Sequence, residues 1–189
     1  MNYIIFEDKN FKLLSPFTDL HATFELRTGA FSNIDRILYQ ISDDDSIQLY
    51  VRQEIEDIIR EKYPNIDVNP KIFKSGTYIN GSSICYLDDF ENFDKNLSYS
   101  NSSSLVTFSS DEDCDSENID NLIKNKSAVS SKTNIKSVEY LWDIFDVLSE
   151  NIKRDYNLLY NYKNGILHPS CVLIKEDNII INNNAEILG

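Results

Sequence analysis

Short runs of β-branched and aromatic residues alternate with segments of helical period along the first half of the chain. No other feature restricts the fold as much. Asn2-Tyr3-Ile4-Ile5-Phe6 is an apolar run cut off by Glu7 and Asp8, the pattern of a buried central strand. Phe31, Ile34, Leu38 and Ile41 then recur at helical spacing behind a helix start at Ser32 and Asp35, and Asp43-Asp44-Asp45 closes that helix. Ile47, Leu49 and Val51 alternate as a second strand does, and Ile55, Ile58, Ile59 and Tyr63 mark a helix that stops before Pro64. Strand, helix, strand, helix predicts an α/β fold, a Rossmann-like, mostly parallel sheet with flanking helices.

Downstream, Tyr78-Ile79 reads as a strand, Asn80-Gly81 as a tight turn, and Ile84-Cys85-Tyr86-Leu87 as the run that follows it. Residues 98–118 are rich in Ser, Asn, Asp and Glu around the apolar Leu105-Val106-Thr107-Phe108, which predicts one strand between loops with Asp111-Glu112-Asp113 in solvent. Leu141, Ile144, Phe145, Leu148, Ile152, Tyr156 and Leu159 form the strongest helical stripe in the chain, with Trp142 expected in the core and Asp143 at the helix start. After Gly165 the texture changes to short apolar runs with Asn-rich corners, such as Ile179-Ile180-Ile181-Asn182-Asn183-Asn184. Two readings of that tail stand side by side: stacked β-helix coils or an ordinary two-stranded ribbon.

A chain of 189 residues holds one full core and a short appendage, so the expected division is 1–165 and 166–189. No apolar run approaches the length of a membrane span, which predicts a soluble, cytoplasmic protein without a membrane partner. A net charge of −13 repels the phosphate backbone and argues against nucleic acid as a partner. It leaves room for a small nucleotide, because a few cations or a bound Mg²⁺ reverse the field inside one cleft. Cys85, Cys114 and Cys171 show no metal or disulfide spacing, and His21 and His168 are the only histidines, so zinc is not expected.

Three segments in order resemble the sugar-nucleotidyltransferase family that is similar to the amino-terminal half of N-acetylglucosamine-1-phosphate uridyltransferase. They are Phe6-Glu7-Asp8 with Leu14-Ser15-Pro16-Phe17-Thr18 and Glu25-Leu26-Arg27-Thr28-Gly29, then Ile79-Asn80-Gly81, then Tyr140-Leu141-Trp142-Asp143-Ile144-Phe145 followed by Asp155. The resemblance implies a nucleotidyltransferase-like domain, with a nucleoside triphosphate and a sugar phosphate as partners, Mg²⁺ as cofactor and a nucleotide sugar as product. It also implies that the tail begins a left-handed, hexapeptide-repeat β-helix resembling acyltransferases, through which the complete protein would form a homo-oligomer, a trimer.

Two departures stand beside it. Leu20-His21-Ala22 occupies the place of the family's Thr-Arg-Pro, and Ser82 follows Asn80-Gly81 where the family has another arginine. The first glycine is Gly29, so the loop after the first strand lacks a glycine-rich phosphate cradle. Arg27 is the candidate phosphate contact, as a catalytic and substrate-binding group or as a partner for a nearby acid. His21 is the candidate proton carrier or a structural loop histidine. Thr18, Asn80 and Asp143 are candidate substrate contacts. Glu7 and Asp8 either hold Mg²⁺ or cap the turn after the strand. The functions in view are a sugar-1-phosphate nucleotidyltransferase, active or vestigial, a non-catalytic nucleotide- or sugar-binding module, and structural support for a trimeric β-helix.

Overall fold

The computed structural model describes residues 1–90, 93–102, 104–159, 165–182 and 185–189. Its strands are β1 (Asn2–Phe6), β2 (Ser46–Tyr50), β3 (Asp67–Val68), β4 (Ile72–Phe73), β5 (Gly76–Asn80), β6 (Ser98–Ser100), β7 (Leu105–Ser110), β8 (Cys114–Asp115), β9 (Ser131–Lys132), β10 (Ile166–Leu167) and β11 (Glu186–Ile187). Its α-helices are α1 (Asn33–Gln40), α2 (Glu56–Lys62), α3 (Ile119–Ala128) and α4 (Ile144–Leu159).

Seven strands form the main sheet in the order β3-β2-β1-β5-β7-β6-β9. β1 pairs in parallel with both β2 and β5, β2 with β3 and β6 with β9, while β7 runs antiparallel between β5 and β6. The sheet is thus mostly parallel with helices on both faces, as the alternation predicts. The fully buried β1 explains its unbroken apolar run. Tyr3 and Ile5 face α1 and α2 through Ile34, Ile37, Ile55 and Ile59, and Ile4 and Phe6 face the other side with Tyr78, Phe108 and Ile119 of α3. Ser32 caps α1 through its Oγ, which accepts the Asp35 N–H at 3.2 Å.

One sequence expectation is met in an unexpected geometry and another is overturned. Asn80-Gly81 does form a tight turn, with the Ser83 N–H on the Asn80 carbonyl at 3.0 Å, but the run after it does not pair back on β5: the antiparallel neighbour of β5 is β7, and Leu87–Phe90 is a 3-10 turn. No glycine has positive φ, so the type I′ geometry that favours Asn-Gly is not used. Gly81 is small for another reason, since a Cβ there would lie 2.7 Å from Thr23 Oγ1 and 2.9 Å from Phe24 Cβ. Trp142, expected in the core, is 65 % exposed and stacks on Tyr140.

The outward turn of Trp142 follows from what anchors α4. The helix buries Val147, Asn151 and Asp155 rather than the centre of its apolar stripe. Asp155 accepts Arg36 Nε and Nη2 at 2.9 and 3.1 Å, the Tyr86 hydroxyl at 2.8 Å, and the N–H groups of Ala30 and Phe31 at 2.9 and 3.3 Å. Arg36 is itself fully buried, and it also donates to Asn33 Oδ1 and Thr28 Oγ1. Five bonds to the desolvated Asp155 carboxylate, two of them from Arg36, outweigh the exposure of a few apolar groups. The tail forms its own two-stranded sheet, in which β10 pairs in parallel with β11, Ile166 opposite Glu186 and Leu167 opposite Ile187.

Candidate functional site

The chain runs from β1 to β2 and β3 on one side and returns to β5 on the other, so the order of connection reverses between β1 and β5. Loops leaving the carboxyl ends of two such strands part in opposite directions and leave a crevice there. Glu7 and Asp8 stand at the end of β1, Asn80 and Gly81 at the end of β5, and Arg52 just beyond β2, all on this edge. β6 and β9 run parallel to β5, so Asn101 and Thr133, which follow them, lie on the same edge.

Glu7 is buried, and Arg52 Nη1 donates to both its oxygens at 2.7 Å. The N–H groups of Thr23 and Arg52 reach it at 3.1 and 3.4 Å. Burial raises its pKa, and the Arg52 guanidinium opposes that shift. Arg52 also donates to the carbonyls of Thr18 and His21 and lies over the Phe11 ring. Glu7, Thr18 and His21 therefore belong to one network centred on Arg52, a residue the sequence reading missed. The only signal for it was an arginine placed just after a strand.

Asp8 accepts the Asn10 N–H at 2.9 Å and the Asn80 amide at 2.8 Å, so the crevice is spanned by a side-chain bond between β1 and β5. Burial raises the pKa of Asp8, against the Asn80 hydrogen bond. Asn80 is fully buried and uses both ends of its amide, donating also to the Leu105 carbonyl and accepting from the N–H and hydroxyl of Ser82. Thr23 Oγ1, beside Gly81, is a buried polar atom without a hydrogen-bond partner among the described residues.

The other named residues lie apart from this pair. Thr18 Oγ1 is spent on the Phe11 carbonyl at 2.7 Å and shapes the loop. The His21 ring stacks on Phe17 and stands 3.3 Å from Glu25 and 3.1 Å from Lys62. Arg27 is exposed, donates to the Ala30 carbonyl and approaches Asp35 at 3.9 Å. Its loop nonetheless docks on the crevice, since Asn33 donates from Nδ2 to the Gly81 carbonyl at 2.9 Å. Asp143 accepts the N–H groups of Glu139 and Tyr140 at 3.0 and 2.8 Å, closing the turn before α4.

Asp143 also lines a cleft of about 570 Å³ with Asn101, Thr133, Lys136 and Ser137 at the ends of β6 and β9. A hydroxyl bridge joins this cleft to the crevice, because Ser83 Oγ and Ser137 Oγ are 2.8 Å apart and Ser83 N–H bonds the Asn80 carbonyl at 3.0 Å. A largely buried chain of polar groups thus runs beneath this edge from Asp8 through Asn80 and Ser83 to Ser137.

A divalent cation needs carboxylate oxygens that are open to it. Both Glu7 oxygens are already neutralised by Arg52, and only Asp8 retains partial exposure. Among the described residues, no three His, Cys, Asp or Glu side chains are grouped to hold a metal. Glu7 and Asp8 therefore do not fit as a two-carboxylate metal clamp.

No helix among the described residues is long and apolar enough to cross a membrane. The search of curated proteins finds no match. A family model described as sugar nucleotidyl transferase matches residues 3–164, a span that includes the main sheet apart from Asn2, and the crevice. This chain belongs to the sugar nucleotidyl transferase family.

Proposed function

We propose that the carboxyl edge between β1 and β5 binds a nucleoside triphosphate and that the adjoining cleft receives a sugar 1-phosphate. A phosphate oxygen of the sugar phosphate attacks the α-phosphorus, the bond to the β-phosphate oxygen breaks, and pyrophosphate leaves with the electron pair. Such a transfer depends on in-line positioning and charge neutralisation more than on acid–base chemistry. The observation that carries the reading is the crevice at the reversal of strand order, closed across its floor by the Asp8–Asn80 bond.

In this reading Asn80 and Asp8 set the floor, and Lys9, Lys12 and Arg27, all exposed, supply positive charge to the phosphates. Arg27 is exposed, held by the Ala30 carbonyl and only loosely by Asp35, so an anion would compete with that carbonyl for it. Asp143, Thr133 and Asn101 offer hydrogen bonds to sugar hydroxyls. His21 takes a second role, anchoring the loop through Glu25 and Lys62. Mg²⁺ enters as the counter-ion of the triphosphate, part of the substrate. Residues 166–189 are assigned to the first coil of a left-handed β-helix appended to a domain of residues 1–165, supported by the parallel pairing of β10 with β11.

A second reading has its own observation. Glu7 is fully neutralised, and the loop from Phe6 to Pro16 lacks glycine, so the edge could bind a nucleotide sugar without turnover. Pyrophosphate release with Mg²⁺, nucleoside triphosphates and a panel of sugar 1-phosphates separates the two. Release that is lost in Asn80→Ala and Arg27→Ala supports transfer. Calorimetric binding of a nucleotide sugar without release supports the binding module, and neither signal refutes both.

A further inference from the structure

The outer face of α4 is apolar and faces solvent. Phe145 is 78 % exposed and Ile152 is 49 % exposed, and Trp142, one turn earlier, is 65 % exposed. At 3.6 residues per turn, Phe145, Ser149, Ile152 and Tyr156 fall within about 60° of one another, a single stripe along the helix. A stripe of this kind on a surface helix normally meets another surface.

The order of residues along the stripe says which surface fits. Measured from Ser149, Phe145 stands four positions before and Ile152 three after, while Trp142 and Tyr156 stand seven before and seven after. On one flank, Asp146 stands three before and Lys153 four after. A second copy of α4 laid antiparallel across Ser149 therefore sets Phe145 against Ile152 of the second copy, with Trp142, in the 3-10 turn before the helix, at the edge of the contact. Because a two-fold axis perpendicular to the helices keeps each flank on its own side, Asp146 meets Lys153, and every contact occurs twice. Ser149 is small and lies at the crossing point, which lets the backbones come within about 8–10 Å.

Charge decides between this arrangement and its alternatives. The chain carries −13, so two copies repel unless opposite charges meet locally. On its exposed side α4 is acidic in its first half, at Asp146 and Glu150, and basic in its second, at Lys153 and Arg154, the Asp155 charge being buried against Arg36. Only the antiparallel register brings unlike charges together. Arg154 and Glu150 are engaged within the chain, with Asp88 and Asp89 and with Lys136, whereas Asp146 and Lys153 have no ion pair among the described residues.

We infer that the chain forms a two-fold symmetric dimer through the outer face of α4, with Phe145 and Ile152 as its centre and the Asp146–Lys153 pairs as its register. Tyr156 donates its hydroxyl to the Asp177 carbonyl, so the tail borders one end of the contact. A sixteen-residue helix is roughly 24 Å long, and the contact is smaller than the standard interface of about 800 Å² per partner. The association is therefore weak and concentration-dependent.

Sedimentation equilibrium of the 189-residue chain, from about 1 to about 500 μM, reads it directly. The expected result is a monomer–dimer equilibrium that Phe145→Glu abolishes and that Asp146→Lys or Lys153→Asp alone weakens roughly tenfold. The double exchange Asp146→Lys with Lys153→Asp restores the dimer, with unchanged circular dichroism reporting that each variant is folded. A monomer over the whole range overturns the inference, as does a trimer. A dimer indifferent to Phe145→Glu, or single charge reversals that the double exchange does not repair, overturns it equally.

Discussion

Asp155→Asn tests the energetic centre of the domain. The substitution keeps the shape of the side chain, so no cavity term enters, and it removes one charge from a pair in which both side chains are fully buried. Arg36 is then left without its counter-ion in a site it cannot leave, and the five donors that converge on Asp155 compete for one carbonyl oxygen. Breaking one side of such a pair costs about 3–5 kcal/mol. That is a large part of the roughly 5–15 kcal/mol that holds a domain together. At about 2–4 °C per kcal/mol for a chain of this size, Tm falls by about 10 °C. Adding Arg36→Met removes the stranded charge, so the double variant should be more stable than Asp155→Asn alone, with a coupling energy of about 2 kcal/mol. Urea unfolding followed by circular dichroism measures all four species at a common m-value. A loss below about 1 kcal/mol for Asp155→Asn, or additivity within about 0.5 kcal/mol, would refute the claim that this pair anchors α4.

Three further outcomes are expected. Gly81→Ala drives a Cβ against Thr23 Oγ1 and Phe24, and should cost about 1–3 kcal/mol and weaken nucleotide binding at the crevice, read by thermal unfolding and calorimetry. Cys85 is fully buried and its thiol pKa is pushed well above the usual range by desolvation, so a thiol-specific disulfide reagent should modify the half-exposed Cys114 and Cys171 first and Cys85 only after denaturation. The Met1 amine, with the Ser42 N–H and hydroxyl, holds the Asp45 pKa at about 2. A depressed carboxyl pKa stabilises the fold above its ordinary value of 3.8, and that contribution is lost as pH falls through about 2. Blocking the α-amino group should therefore lower Tm at pH 6, and the difference from the free chain should shrink as pH falls from 3.8 and disappear below about 2.

Local pattern and fold agree wherever burial is two-sided or strictly periodic. The run from Asn2 to Phe6 could only be a central strand, because both its faces are apolar, and Ser32 with Asp35 carries the start of α1 within four residues. The Phe-Glu-Asp and Asn-Gly signatures likewise mark the two strand ends that meet at the crevice. The same local view finds the turn at Asn80-Gly81 but not the reason for its glycine, which is the close approach of Thr23 and Phe24 from another loop.

What the sequence determined by itself was the class of fold and the strand ends from which a site could be built, because side-chain periodicity is a property of neighbours along the chain. Only the tertiary structure decided which charges are spent and which remain. Glu7 finds Arg52, Asp8 finds Asn80, and Asp155 finds Arg36 from distant segments, and desolvation makes each of those meetings strong. The last of them also turns α4 so that Trp142 and Phe145 face outward, an orientation that helical spacing alone leaves open.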